Sequence, residues 1–359
     1  MIINILKWII FSVIGLVCLF GLSLLYFTLT AYTPDQQLEI PNLSQNMIPE
    51  KEAPEELTLL TWNIGYCGIG KKMDSLFEGG KMGVPKHSED IERNILAVKN
   101  AIRGNPADIY FLQEVDQASS RTFDINQKNE IIDVFPGFNA WFANNFKVQF
   151  VPSPISDPIG RVDSGILTLS KWNSKDTYRH QLPGDYPWPT WIFHLKRCLT
   201  IIKIKSSIDN RDWVMINLHL SAYDAGGTLR KQQLEYVKNL MQKHYNDGNY
   251  VIVGGDWNSL FPGVTMNSFG TYTTSEENLF WVQNIEDEWT PDKWQWVFDK
   301  KIPTCRSLEK PYTKSENFTT IIDGFIVSPN VEVVTVKGID LGFENSDHNP
   351  VLMNVKLIK

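Results

Sequence analysis

Acids, amides and histidines stand in this sequence at the ends of short apolar segments. Carboxylate and amide oxygens are suitable ligands for a hard cation, and imidazole groups beside them are suited to contact a phosphate. If these segment ends converge on one edge of a layered fold, the side chains form a single site for metal-assisted phosphate chemistry. The positions are Asn63, Glu114, His219, Asp256, Asn258, Asp323, Asp347 and His348.

Each of these positions also has an ordinary structural explanation. A Gly-Asp-x-Asn sequence, here residues 255–258, is typical of a turn held by side-chain to backbone hydrogen bonds. A lone histidine near a strand end is more often structural than catalytic. Asp256 and Asn258 are two residues apart, however, and an extended chain places both side chains on one face, where they can address one phosphate. Six such strand ends in one chain favour a shared site.

The elements that would position these side chains are mostly strands. Apolar and β-branched runs bounded by Gly, Pro, Asn and Asp predict eight strands, and two further segments predict helices over 88–103 and 228–246. There are too many strands for the wall of one barrel, and helices lie between them. This pattern predicts an α/β fold of packed sheets covered by helices. The predicted strands are residues 57–63, 108–114, 165–171, 213–219, 250–256, 320–328, 331–337 and 350–356.

The N-terminal region predicts a membrane anchor. Residues 8–30 are uncharged, and a helix of that length is about 35 Å long, enough to cross a bilayer core. A cleaved signal peptide and a buried core helix are the alternatives, although a signal peptide has only about 7–15 apolar residues. Lys7 precedes the run and acidic residues follow it, so the positive-inside rule places residues 1–7 in the cytoplasm. We therefore expect a single-pass protein of the cell membrane with its large domain on the extracytoplasmic side.

The rest of the chain divides into a linker and one large domain. Residues 31–56 are polar and contain four prolines, which predicts an extended linker. The chain is 43% hydrophobic and 21% charged, a composition that excludes a disordered or fibrous protein. A net charge of −7 disfavours a broad nucleic-acid-binding surface and leaves a local basic cleft open. Four cysteines without C-x-x-C spacing indicate neither a zinc site nor a disulfide framework.

In their order along the chain, the polar motifs resemble those of a known superfamily. They match the endonuclease/exonuclease/phosphatase superfamily, which includes deoxyribonuclease-like nucleases, inositol-polyphosphate phosphatases and neutral sphingomyelinases. The resemblance covers residues 57–359 and implies one domain, a four-layer sandwich of two packed mixed β-sheets flanked by helices. The motifs are TWN at 61–63, QEVD at 113–116, NLHL at 217–220, GGDWN at 254–258, IDGF at 322–325 and SDHNPV at 346–351.

The resemblance also implies a metal site. Glu114 is similar to the family's main magnesium ligand, with Asn63 beside it, and Asp347 resembles the acid next to the metal or the histidine. Mg²⁺ binds through one or two carboxylates and keeps water or substrate oxygens in its other positions. We therefore expect a Mg²⁺-dependent enzyme that could take Mn²⁺ instead, with one or two metal ions.

The remaining motif residues take catalytic roles in the same comparison. Asp256 resembles the residue that orients or deprotonates the attacking water, and Asn258 the neighbour that holds a phosphate oxygen. His348 is similar to the histidine that contacts the scissile phosphate, with Asp323 orienting its ring. His219 matches a second phosphate-contacting histidine. The implied reaction is direct attack of water on a phosphate ester without a covalent intermediate.

The sequence leaves the substrate open. Lys81, in the loop after Asn63, and Arg161 are candidate phosphate contacts, with an ordinary solvated loop as the alternative for the lysine. Aromatic residues over 186–197 suit core packing, base stacking or a lipid-facing patch. The candidate substrates are a phosphodiester, which is a nucleic acid, a phospholipid or a small phosphodiester, and a phosphomonoester of a lipid or sugar. A catalytically inactive relative that only binds its ligand is the further alternative. No protein partner is inferred.

Overall fold

The computed structural model describes residues 2–44, 51–174, 176–224, 226–270 and 272–358. Residues 45–50 of the predicted linker lie outside the described residues. The helices are α1 (Ile2–Leu29), α2 (Ser88–Gly104), α3 (Gln127–Ile132) and α4 (Thr228–Asn246). The strands are β1 (Gln37–Glu39), β2 (Glu56–Asn63), β3 (Ile109–Asp116), β4 (Asn139–Val151), β5 (Gly160–Ser170), β6 (Thr177–Gln181), β7 (Cys198–Lys205), β8 (Asp212–His219), β9 (Tyr250–Asp256), β10 (Gln295–Val297), β11 (Cys305–Arg306), β12 (Thr319–Thr320), β13 (Asp323–Val327), β14 (Val331–Gly338) and β15 (Val351–Leu357).

Two large sheets form the centre of the domain. One has seven strands in the order β1-β6-β7-β8-β9-β13-β10, and the other has six in the order β14-β15-β2-β3-β5-β4. Each sheet is mixed, because β2 and β3 run parallel, as do β8 and β9, while their other neighbours are antiparallel. The carboxyl ends of these parallel strands carry most of the polar motif residues.

Alternating side chains produce the layers. Leu59 of β2 and Met215 of β8 point between the two sheets into a shared apolar core. Their neighbours Leu60 and Ile216 point outwards, the first into a cluster with α2 and the second into a cluster with α4. This period of two is what a strand buried on both faces requires. The result is the expected four-layer sandwich with helices on both outer faces.

All eight predicted strands overlap observed ones, and both predicted helices are present. Strand β4 has no counterpart among the predictions, because its alternation of apolar and polar residues is interrupted twice. The register of β4 against β5 shifts between Asn144 and Phe146 and again between Val148 and Val151. A bulge places an extra residue on one strand, and after it the alternation of core-facing side chains is reversed. The period of two in the sequence is therefore broken, and periodicity does not predict such a strand.

Part of the predicted linker is folded onto the domain. Residues 36–44, which we call the strap, include β1, which pairs antiparallel with the edge strand β6. Ile40 donates its N–H to the carbonyl of Thr177 at 3.1 Å and is buried in the core, and Leu43 donates to the carbonyl of Ala140 at 2.8 Å. Since Ala140 belongs to β4, the strap connects the open edges of both sheets. The difference from the predicted extended linker arises because the sheet edges bury Ile40 and partly bury Leu43, which are both apolar.

Helix α1 is the one helix in the described part of the chain that is long and apolar enough to cross a membrane. It begins at Ile2, so it contains Lys7 as well as the predicted span. None of its residues is buried by the rest of the chain. A signal sequence would satisfy the same criteria of length and composition.

Candidate active site

Strand register brings the polar residues from both sheets together. In the seven-stranded sheet, His219 lies opposite Asp256, and Asp256 lies opposite Asp323. In the six-stranded sheet, Asn63 ends β2 beside Gln113, the residue before Glu114. Both groups stand at the same end of the sandwich, so the site spans the gap between the sheets.

Glu114 reaches the site through an irregularity in its strand. The register between β3 and β5 shifts between Leu112 and Val115, and Glu114 adopts a left-handed backbone with φ of 54°. Such a conformation is uncommon for a residue with a side chain and is often found at functional positions. It leaves the Glu114 carboxylate partly exposed, with 26% of the side chain accessible, in the wall of a large cavity.

Asn63 connects the two carboxylates nearest the gap between the sheets. Its Nδ2 donates to Oδ2 of Asp256 at 2.9 Å and to Oε1 of Glu114 at 3.3 Å. Its Oδ1 accepts the N–H of Gly65 at 3.0 Å. In this arrangement the amide nitrogen faces the acids, and Asn63 would coordinate a cation through oxygen only after its amide turned over.

Asp256 is buried and held from three sides. Besides Asn63, it accepts the backbone N–H of Asn258 at 2.9 Å and lies 3.3 Å from Nε2 of His219. Burial, and then the charge of Asp323, raise the pKa of Asp256 to about 6. Burial, and then the charge of Arg197, lower the pKa of His219 well below its ordinary value. His219 is therefore neutral, and its Nε2 stands beside the Asp256 carboxylate as a close contact, not as one of the hydrogen bonds of the site.

His348 has the opposite electrostatic surroundings. Its Nδ1 lies 2.8 Å from Oδ2 of Asp323, and its Nε2 lies 3.9 Å from oxygens of Asp256 and Asp347. Burial opposes ionisation of the ring, but the nearby acids, Asp323 first, raise the pKa of His348 well above its usual value. Trp62 donates its Nε1 to the carbonyl of His348 at 2.9 Å and holds the loop in place. His348 is thus a buried imidazolium at the site.

A divalent cation fits the donors at this site. Burial is the main cause that raises the pKa of Asp256, Asp323 and Asp347, and the charge of a neighbouring acid raises each of them further. Donor atoms of Asp256, Asp323 and His348 lie within 4.8 Å of one another, and Oδ1 of Asp323 is buried without a hydrogen-bond partner. Such an excess of oxygen donors and negative charge suits a hard cation.

Asn258 has a structural role in the turn. Its Nδ2 donates to the carbonyl of Leu220 at 2.9 Å, which ties the turn to the end of β8. Its backbone N–H closes a hydrogen-bonded turn onto Asp256. The turn explanation of the GGDWN motif therefore applies, and the same turn orients the Asp256 carboxylate, while contact of Asn258 with a phosphate oxygen stays a prediction.

The two predicted substrate contacts lie apart from these groups. Arg161 is an exposed residue paired with Asp124 at 2.6 Å, and Lys81 is exposed in its loop. Neither side chain lines the large cavity that Glu114 and His219 share. They remain predictions without a contact to the site.

Arg197 is a residue that the sequence reasoning missed. It is 9% exposed, lines the same cavity as Glu114 and His219, and its Nη1 is buried without a hydrogen-bond partner in the described structure. A buried guanidinium with an unused donor is suited to bind a phosphate. Its only sequence signal is its place at the end of the aromatic segment 186–197, directly before β7.

Comparisons with known proteins agree with this architecture. The sequence model of the Endonuclease/Exonuclease/phosphatase family matches residues 60–348. No curated protein sequence matches the chain at a significant level.

Several solved structures are similar in fold at low sequence identity. An endonuclease/exonuclease/phosphatase from Beutenbergia cavernae is 18% identical with a TM-score of 0.52, and the match covers 84% of this chain and 72% of that one. Truncated TDP2 from Caenorhabditis elegans is 14% identical with a TM-score of 0.53, covering 84% and 98%. ANGEL2, a 2′,3′-cyclic phosphatase, is 14% identical with a TM-score of 0.52, covering 90% and 99%. The chain therefore belongs to the endonuclease/exonuclease/phosphatase family and is a metal-dependent hydrolase of phosphate ester bonds.

Proposed function

We propose that this protein is a membrane-anchored, Mg²⁺-dependent phosphodiesterase that hydrolyses its substrate by direct attack of water. The observation that carries the proposal is Asp256, a buried carboxylate held by Asn63 and the Asn258 N–H, 3.3 Å from His219 and close to the Glu114 side chain in the cavity wall. A pKa of about 6 leaves Asp256 ionised at neutral pH and still basic enough to accept a proton from water.

The residues around Asp256 have the other roles in the reaction. Neutral His219 lies beside Asp256 in the cavity wall and contacts the phosphate, and the positive charges of His348 and Arg197 balance negative charge that grows on it. Water adds to phosphorus, one P–O ester bond breaks, and the leaving oxygen takes a proton. The products of a diester are a phosphate monoester and an alcohol.

Glu114 and Asp347 would hold Mg²⁺ or Mn²⁺, and Asn63 would join them through its oxygen once its amide had turned over. When bound, the metal ion supplies positive charge to the phosphate oxygens. The alternative ligand group of Asp256, Asp323 and His348 would leave no base and no imidazolium for the reaction. We therefore keep Glu114 as the principal ligand.

Helix α1 anchors the enzyme in the cell membrane as a single span, with the domain of residues 57–359 on the extracytoplasmic side. The length and composition of the helix support the anchor, and Lys7 near its start supports the orientation. The substrate carries a phosphate ester, of a nucleic acid or a phospholipid.

The test is hydrolysis of bis-p-nitrophenyl phosphate and p-nitrophenyl phosphate by the full-length protein in detergent. Activity should require Mg²⁺ or Mn²⁺, disappear with EDTA, return when metal is restored, and favour the diester. Glu114→Gln should raise the metal concentration for half-maximal activity and lower kcat. Equal activity with and without the chelator would contradict the proposal.

A further inference from the structure

A cavity of about 560 Å³ extends from the candidate active site. Glu114, His219 and Arg197 line one end of it. The rest of its wall is dominated by apolar side chains, and part of it belongs to a separate apolar cluster around β4 and β5. These side chains include Phe77, Phe146, Val151, Ile159, Phe193 and Phe280. A phosphate site thus continues directly into an apolar chamber of the size that small-molecule ligands occupy.

The apolar end of the cavity lies against the end of helix α1. The ring of Phe193 lines the cavity and also contacts the ring of Phe27, with centroids 5.4 Å apart. Trp188, an exposed residue, donates its Nε1 to Oγ1 of Thr28 at 3.2 Å. Since α1 ends at Leu29, this side of the domain faces the membrane surface if α1 is the anchor.

Exposed apolar residues also stand in segments that line the cavity. Ile155 is 95% exposed, and it lies between Ser153 and Ile159, which both line the cavity. Tryptophan and aliphatic side chains next to a membrane-spanning helix are suited to enter the interfacial region of a bilayer. An apolar chain leaving the bilayer would therefore meet apolar surface along its path into the cavity.

The charges of the cavity do not suit a polynucleotide. Among the described residues that line it, the arginine and lysine side chains are those of Arg121 and Arg197. Arg121 is already paired with Asp116 through two hydrogen bonds of 2.8 and 3.1 Å. Arg197, in contrast, has no carboxylate partner among the described residues, and its Nη1 is buried without a hydrogen bond. Nucleic-acid binding relies on several phosphate contacts at once, whereas a lipid has one phosphate to neutralise.

We infer that the substrate is a membrane phospholipid whose phosphodiester lies at Glu114, His219 and Arg197 and whose acyl chain enters the apolar part of the cavity. The inference rests on the proposed phosphodiesterase function and adds its substrate class. The lipid enters from the bilayer beside Phe193, and hydrolysis of one P–O bond releases an alcohol and a phosphate monoester.

The experiment compares a soluble diester with lipids of increasing chain length, using the full-length protein with Mg²⁺. The probes are bis-p-nitrophenyl phosphate and dibutanoyl, dihexanoyl and dioctanoyl phosphatidylglycerol and phosphatidylcholine below their micelle concentrations. Each buried methylene should raise kcat/KM about fourfold until the cavity is filled. Phe193→Asn and Ile159→Asn should lower kcat/KM at least tenfold on the dioctanoyl lipids and less than twofold on the soluble diester. Leu96→Asn, an exposed position on α2, is the matched control and should change neither.

The outcomes distinguish a failure of this inference from a failure of the proposed phosphodiesterase function. Chain-length independence, equal losses on both substrates, or a preference for DNA or RNA oligonucleotides over the lipids would overturn the lipid assignment while leaving the phosphodiesterase intact. Absence of metal-dependent hydrolysis of every substrate would remove the function itself, and the inference with it. If a variant fails to fold by thermal melting, the chain-length series on the unmodified protein decides the question alone.

Discussion

Asp256 accepts hydrogen bonds from Asn63 and from the backbone of Asn258 and lies 3.3 Å from His219, and its replacement tests whether these contacts serve catalysis. Asp256→Asn keeps the acceptor for the Asn258 N–H and removes the basic oxygen. We expect kcat to fall about 10²- to 10⁴-fold with little change in KM, because the base acts only in the transition state. Steady-state kinetics and thermal melting on the same preparation measure the effect.

Asp209→Asn provides a control for this substitution. Asp209 is a surface acid that pairs with Arg211 and Tyr250, so its loss should leave kcat unchanged. If the GGDWN motif is only a structural turn, Asp256→Asn will also be silent in rate, and an active Asp256→Asn protein would remove the assignment of the base.

Glu78 is a buried acid that predicts a pH-dependent stability. It accepts hydrogen bonds from Tyr223 at 2.9 Å and from the N–H of Leu308 at 2.8 Å, and burial raises the pKa of Glu78 from 4.5 to about 7. The folded protein therefore holds this proton more tightly than the unfolded chain. As a result, the free energy of unfolding should fall as pH rises from about 4.5 to about 7 and level off above that.

Glu78→Gln removes the titration and preserves the shape of the side chain. The variant should match the unmodified protein near pH 4.5 and exceed its free energy of unfolding by about 3 kcal/mol above pH 7. Urea denaturation at several pH values measures the difference. The exposed Glu92→Gln serves as the control, and parallel stability profiles for Glu78→Gln and the unmodified protein would show that Glu78 does not titrate in this range.

At the scale of elements, the strap defines where a soluble domain begins. It adds β1 to the edge of β6 and buries Ile40 in the core. A fragment of residues 52–359 lacks these contacts and exposes the hydrogen-bonding edge of β6, whereas a fragment of 32–359 retains them. We expect the shorter fragment to lose about 2 kcal/mol of unfolding free energy, the contribution of one buried isoleucine, and to aggregate more readily.

Urea denaturation and size-exclusion chromatography of both fragments test this prediction. Leu38→Ser in the longer fragment is a suitable control, because Leu38 belongs to the strap and is largely exposed. That substitution should have a small effect. Equal denaturation midpoints for the two fragments would mean that the strap is the free linker expected from the sequence.

At the scale of the whole molecule, the position of the domain relative to the membrane can be measured with cysteine labelling. Cys67, Cys198 and Cys305 are buried and Cys18 lies in α1, so a Cys18→Ser background should label weakly. In that background Glu92→Cys, on the exposed side of α2, should react with a membrane-impermeant maleimide in intact cells. Ile3→Cys should react only after permeabilisation. The reverse pattern would place the domain in the cytoplasm and leave the anchor unaffected.

Local sequence determined much of the fold and of the site. Apolar runs bounded by turn residues predicted eight strands, because a strand buried on both faces needs consecutive apolar residues. The polar residues at the ends of those runs, such as Asn63, Glu114 and Asp256, were candidate site residues from their type and position alone. The uncharged N-terminal segment predicted a helix because an apolar run of that length is typical of a membrane-spanning helix.

Only the tertiary structure decided features that depend on residues distant in sequence. Register between strands, not spacing along the chain, places His219 and Asp323 on either side of Asp256. The role of Arg197 depends on a guanidinium donor that is left without a hydrogen bond after folding. The position of the strap depends on two sheet edges that exist only when the sandwich has formed. The apolar cavity likewise combines side chains from many segments. Periodicity reports which face of an element is buried, but it carries no information about which distant face covers it.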